Sequence, residues 1–139
     1  MRLQKISIVF LVSLVLNFVW EYLHSYLYAF YQHGSITLPI LVRAAVVDAI
    51  IITALYALFS HVPLLKNTLW FAVLLAVGVA VVIELYAMAT GRWQYNAFMP
   101  VIPVLGIGLS PLLQLPLLTY TSFKTADIIQ VIYKKQYEI

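Results

Sequence analysis

The sequence predicts an all-α integral membrane protein: four transmembrane helices in an antiparallel bundle, closed by a short amphipathic C-terminal tail. Three observations carry that expectation. Of 139 residues, 64% are hydrophobic and only 9% charged, against about a quarter charged in a soluble domain. Four apolar stretches, at about 6–28, 38–60, 69–90 and 101–120, each hold 20 to 23 residues, close to the roughly 20 needed to cross about 30 Å of hydrocarbon. The links between them are short, which makes neighbouring helices antiparallel. A single transmembrane domain over residues 1–139 is the natural unit.

The first stretch follows Arg2 and Lys5, as a signal peptide would. No small-residue cleavage site comes after it and the apolar run continues to Tyr28, so it reads as a retained helix. Orientation follows from the lysines and arginines. With the N-terminus inside, Arg2, Lys5, Lys66, Lys124, Lys134 and Lys135 are cytoplasmic, and only Arg43 and Arg92 lie outside. The positive-inside rule thus places both termini in the cytoplasm. Tyr22, Tyr26, Tyr28, Phe30, Tyr31, Trp93 and Tyr95 would form the outer aromatic belt, and Trp70 and Phe71 the inner one. Residues 122–139 alternate Ile128, Ile129, Ile132 and Tyr133 with Lys124, Asp127, Lys134 and Lys135. That is the pattern of a short helix on an anionic membrane surface, or of a frayed tail.

Composition also excludes. The formal charge of +3 is spread over chain ends and loops, so no basic stripe for nucleic acid exists. Cysteine is absent, which removes disulfides, thiolate nucleophiles and thiolate metal sites.

Polar residues inside the spans are the functional candidates, since lipid cannot satisfy them. Asn17, Glu21, His24 and Tyr28 recur at i, i+4, i+7 and i+11, one face of the first helix. Helix–helix glue by hydrogen bonds is the alternative reading of that stripe. Glu84 lies about two turns from the outer end of the third span. Arg43 and Asp48 lie in the outer half of the second, about 140° apart on an ideal helix, so they do not readily pair. Acids scattered at random would not all share one leaflet. The simplest arrangement is an outward-opening chamber lined by Glu21, His24, Asp48 and Glu84, with Arg43 or Arg92 nearby. Carboxylates sharing a low-dielectric site cannot all ionise, and one that keeps its proton can serve as a general acid or relay. The bland alternative is an Arg43–Asp48 or Arg92–Glu84 ion pair that only holds helices together.

A Glu-x-x-His pair, Glu21 and His24, is half of a diiron carboxylate constellation, which needs a second such pair and two more glutamates. The sequence lacks that second pair, so neither a metal nor another cofactor is expected. Around 91–96, Gly91 can end the third helix in a left-handed cap. Trp93 and Tyr95 either anchor the interface or steady a cation with their π faces. Asn96 hydrogen-bonds the chamber or caps the next helix. Pro103, Pro111 and Pro116 interrupt the fourth span, Gly106, Gly108 and Ser110 permit close approach of a ligand or helix, and Gln114 points inward.

Glu84, Ala87, Gly91, Trp93, Tyr95 and Asn96, followed by Gly108-Leu109-Ser110-Pro111, resemble the membrane-embedded lycopene cyclase domain of the bacterial, archaeal and fungal type. In that family the Gly-Leu-Pro segment lies two residues closer to the acid. The resemblance covers about 30 residues and implies a helical bundle that protonates a double bond of a long polyene. Glu84 matches the family's acid, and Trp93 and Asn96 its aromatic and amide. The family's proline is followed by a pair of glutamates, whereas Pro111 is followed by Leu112, Leu113 and Gln114.

The functional expectation is acid–base chemistry on an isoprenoid or other lipid, of the cyclase, isomerase or hydratase kind. Glu84 and Glu21 would donate and accept the proton, with Asp48 beside them, and His24 would orient or shuttle. Asn17, Arg92, Trp93, Tyr95, Asn96 and Gln114 would contact substrate. The alternatives are a lipid-binding or partner-assembly subunit, meeting a second copy or another membrane protein through the fourth helix, and a small proton-coupled carrier. A carrier needs a polar route to both sides, yet the inner half offers little beyond Thr53 and Gln114.

Overall fold

The computed structural model describes residues 2–137. Helices α1 (Arg2–His24), α2 (Leu38–His61), α3 (Leu69–Ala89) and α4 (Leu109–Tyr137) make up most of the chain. Three segments, Leu3–Leu27, Leu38–His61 and Leu69–Ala89, are long and apolar enough to cross a membrane. All four helices meet in one core, which includes Val9 of α1, Ile52 and Phe59 of α2, Ala72 and Ala76 of α3, and Leu115 and Phe123 of α4. Their outer faces carry exposed Leu11, Val15, Ile50, Leu74, Val82 and Leu117, a surface suited to lipid and costly in water.

Small residues decide how α3 packs. Ala72, Ala76, Ala80 and Ala87 are buried on one face, and Glu84 occupies the next place in that four-residue repeat. Alanines let backbones approach closely, so the register that seats them carries Glu84 inward. Beyond the end of α3, Gly91 adopts a left-handed conformation with φ of 62°. Arg92 N–H donates to Ala87 O at 2.9 Å and Gly91 N–H to Met88 O at 3.3 Å, the paired bonds of a Schellman cap.

The expectation of an all-helical chain is corrected at one end of the molecule. Helix α1 stops at His24, a 3-10 turn (Ser25–Leu27) follows, and Tyr28–Tyr31 forms strand β1. It pairs antiparallel with β2 (Trp93–Tyr95), Tyr31 opposite Trp93. A second hairpin joins β3 (Val101–Ile102) to β4 (Ile107–Gly108). The expected fourth span at 101–120 is therefore shifted: its first eight positions are hairpin, and α4 begins at Leu109. Pro100 and Pro103 lack the N–H a helix needs, and Gly106 turns the chain at φ of 68°. Pro111 is no interruption, because it sits in the first turn of α4, where its missing N–H has no helical partner to lose. Only Pro116 lies inside that helix. Nor is the tail a separate helix: α4 runs on without a break to Tyr137. Lys5 Nζ lies 2.5 Å from Asp127 Oδ1, fastening that extension to α1. Both side chains are partly exposed, so Lys5→Met should cost less than about 1 kcal/mol in detergent unfolding.

Gly108 is fixed by crowding. A Cβ there would lie 3.0 Å from Met99 Sδ and 3.1 Å from the Pro111 ring. The thioether can swing away; the proline ring cannot. Gly108→Ala is expected to lower stability by about 1–3 kcal/mol, as overpacking does, read from the thermal midpoint in detergent.

Candidate functional site

A cavity of about 560 Å³ lies at the end of the molecule that carries β1 and β2. Glu21 and His24 of α1, Asp48 of α2, Glu84 of α3 and Gln114 of α4 line it, with Arg43, Arg92 and Trp93. Each acid thus comes from a different helix.

Gln114 is the knot of the floor. Its Nε2 donates toward Glu21 Oε1 at 2.8 Å, Asp48 Oδ2 at 2.9 Å and Asn17 Oδ1 at 3.1 Å. Asn17 passes the order on, donating from Nδ2 to Ser13 O at 2.8 Å. Asn17 and Ser13 are fully buried, so the stripe on α1 starts one turn deeper than Asn17. Asp48 and Glu21 thus meet at the same amide nitrogen.

His24 bridges two elements. Its Nε2 is 3.1 Å from Glu21 Oε2 and its Nδ1 is 3.1 Å from Ser110 Oγ. If Nε2–H donates to the carboxylate, Nδ1 is left to accept from the Ser110 hydroxyl. Sequence reasoning gave Ser110 only a small-residue role; nothing in the linear pattern showed that it would stand opposite His24, 86 positions away.

Glu84 is held from the strand side. Its Oε2 accepts from Trp93 Nε1 at 3.4 Å and, at closer range, from the Tyr95 hydroxyl. Tyr95 oxygen in turn accepts from Gly108 N–H at 2.9 Å. Burial first, then the Glu84 contact, pushes the Tyr95 phenol well above its ordinary value. That phenol therefore remains a hydroxyl donor throughout the physiological range.

The wall is aromatic. Tyr28 meets His24 edge-on with ring centroids 5.2 Å apart and Trp93 at 6.3 Å. Tyr31 stacks on Trp93 at 6.4 Å. The arginines stand at the mouth, both exposed. Arg43 Nη2 donates to Tyr31 OH at 2.5 Å, and Arg92 lies over the Tyr86 ring, 5.7 Å from its centroid. Among the described residues the ion pairs are Lys5–Asp127 and, if the imidazole is charged, Glu21–His24. The alternative of Arg43–Asp48 or Arg92–Glu84 pairing is therefore not what the structure contains.

Three expected substrate contacts fall elsewhere. Tyr95 sits behind Glu84 and does not line the cavity. Asn17 lies beneath Gln114. Asn96 ties loops together, donating from Nδ2 to Tyr26 O at 2.5 Å and accepting from Phe98 N–H at 2.9 Å. Tyr31 and Arg43, absent from the expected contact set, are in the wall. No group of three or more His, Cys, Asp or Glu side chains among the described residues is arranged to hold a metal ion.

Neither a protein-family model, nor a curated protein, nor a solved structure matches this chain.

Proposed function

We propose that this is a small integral-membrane enzyme that carries out acid–base chemistry on an isoprenoid or other lipid, in a chamber near the outer surface. The observation that carries the reading is the convergence of Glu21, Asp48, Glu84 and His24 from three helices on one cavity, with no lysine or arginine paired to any of the acids among the described residues. A structural ion pair would have neutralised them locally; an open polar chamber leaves their protons available.

Hydrogen counting supports the same reading. The Gln114 amide nitrogen has two hydrogens and faces three acceptors. One of those contacts therefore goes without a hydrogen from Gln114, and Glu21 and Asp48 meet at a single donor nitrogen. Glu84, gripped by Trp93 and Tyr95, is the group positioned to deliver a proton to a substrate double bond. His24, bridging Glu21 and Ser110, would return it. The π faces of Tyr28, Tyr31 and Trp93 would steady the positive charge that develops. Tyr95 acts through Glu84 and is a positioning residue. The resemblance around Glu84 to lycopene cyclase domains favours a double bond as the proton acceptor, and Leu112, Leu113 and Gln114 in place of a glutamate pair argue against lycopene itself.

In this reading α4 is a fourth span, showing Leu113 and Leu117 outward, and the helices form an antiparallel bundle. Lys5, Lys66 and Lys124 gather around a second hollow on the side away from the chamber, which favours both termini in the cytoplasm. Below Gln114 the buried side chains are mostly apolar, Val9, Ile52, Leu55 and Leu118 among them, with the hydroxyls of Ser13, Thr119 and Ser122 but no ionisable group. That disfavours a carrier, which needs a polar path through both halves.

The test is isotope incorporation. Purified protein incubated in heavy water with an isoprenoid-rich lipid extract should place deuterium at carbon in a lipid product, detected by mass spectrometry. No deuterium gained by any lipid would defeat the proposal.

A further inference from the structure

Two features of the chamber are left over by proton chemistry. The first is the pair of arginines. Arg43 and Arg92 come from separate elements, both line the cavity, and both are exposed at its mouth. Each rests on a tyrosine, Arg43 on Tyr31 and Arg92 on Tyr86, with no carboxylate in ion-pair range among the described residues. A tyrosine orients a guanidinium without cancelling its charge. The acids lie deeper: Glu84 is 4% exposed, and Asp48 is five positions along α2 from Arg43, a rise of about 7.5 Å. Positive charge therefore tops a chamber whose floor is acidic.

The second feature is a gap in the helix packing. Helix α2 packs on α1, α1 on α4 and α4 on α3, while α2 and α3 touch only sparsely. Away from the chamber they close, with Phe59 and Phe71 ring centroids 5.9 Å apart. Beside the chamber Ala44 and Val47 of α2 and Ala80 and Ile83 of α3 are cavity wall instead. Val47 lines the cavity yet is 49% exposed, and Tyr86 56%, so the cavity opens sideways between them. In a membrane that opening faces hydrocarbon.

We propose that the chamber takes a single-chain amphiphile with an anionic head, phosphate or carboxylate, which Arg43 and Arg92 hold at the mouth while the chain enters between α2 and α3. This rests on the membrane-enzyme reading above and narrows its substrate class. The volume of about 560 Å³ lies within the range of roughly 300–1,000 Å³ usual for small-molecule sites. Paired guanidiniums suit a multidentate oxyanion, and an uncharged polyene would leave them unused.

Binding, not turnover, is the test. Protein in maltoside micelles is titrated with dodecyl phosphate, dodecanoate and dodecanol, three probes of equal chain length, by tryptophan fluorescence. At least one anionic probe should bind about tenfold more tightly than the alcohol, the gain expected of charge-assisted hydrogen bonds. The double variant Arg43→Gln, Arg92→Gln should lose that preference and bind dodecanol unchanged, and Arg43→Lys should keep part of it. Val47→Trp, which narrows the lateral opening, should weaken all three probes. Equal binding of the three probes, or an anion preference that survives the double variant, would overturn the proposal. So would competition by two-chain phosphatidic acid as strong as by dodecyl phosphate, which would make the arginines a boundary-lipid contact. The catalytic reading fails separately: arginine-dependent binding without deuterium exchange leaves this site standing and removes the chemistry.

Discussion

Glu84→Gln is expected to abolish deuterium incorporation and to leave the fold intact. The amide keeps an oxygen at the same place, so Trp93 Nε1 and the Tyr95 hydroxyl still have an acceptor. What is lost is the ionisable proton. General acid catalysis contributes about 10²–10⁴-fold, so the rate should fall by at least about a hundredfold, with the thermal midpoint little changed. Glu84→Leu provides the contrast, because it strands two donors in a buried place and should also destabilise by about 1–3 kcal/mol. If Glu84→Gln exchanges deuterium at the wild-type rate, Glu84 is not the proton donor. Tyr95→Phe is the positioning control. It keeps the acid but frees one side of it, and Glu84→Gln in that background should add little to a rate already reduced.

The helical framework was legible because lipid leaves few choices. A run of about 20 apolar residues with its own backbone hydrogen bonds has one solution in a bilayer, and α2 and α3 begin where the polar links end. The α1 stripe was legible for the same reason: Asn17, Glu21 and His24 have only one face in common, and all three point into the protein. Legibility failed where local and long-range effects compete. Residues 28–31 and 93–95 are aromatic enough for an interface belt and equally suited to strands. Pairing across more than sixty positions decided between them, and a linear pattern does not contain it. The shift in α4 was readable in part, since Pro100, Pro103 and Gly106 all oppose a helix. Mean apolarity over 101–120 concealed them.

The site shows the same division. Glu84 faces inward because Ala72, Ala76 and Ala80 set its register, a signal visible in the sequence at four-residue spacing. By contrast, the roles of Ser110, Tyr31 and Arg43 depend on which helices become neighbours. Tyr95 and Asn96 were expected to contact substrate, yet their work in this chain is to hold Glu84 and to tie loops.

Gln114→Leu is expected to cause a large loss of stability. The side chain is 4% exposed and gives hydrogen bonds toward α1 twice and α2 once. Interhelical hydrogen bonds in membrane proteins average about 0.6 kcal/mol each, and acceptors left buried without a donor add about 1–3 kcal/mol. A loss of about 2–4 kcal/mol follows, equivalent to roughly 10 °C in the thermal midpoint of a chain this size. The penalty should be coupled to its partners. In an Asp48→Ala background one acceptor is already gone, so the further cost of Gln114→Leu should shrink by about 0.5–3 kcal/mol, the usual coupling between groups in one network. Strict additivity of the two changes would mean that Gln114 does not join the helices through Asp48. Asn17→Leu tests the deeper link. It removes an acceptor at 3.1 Å from Gln114 and leaves both carboxyl groups served, so it should cost less than Gln114→Leu and leave proton exchange measurable.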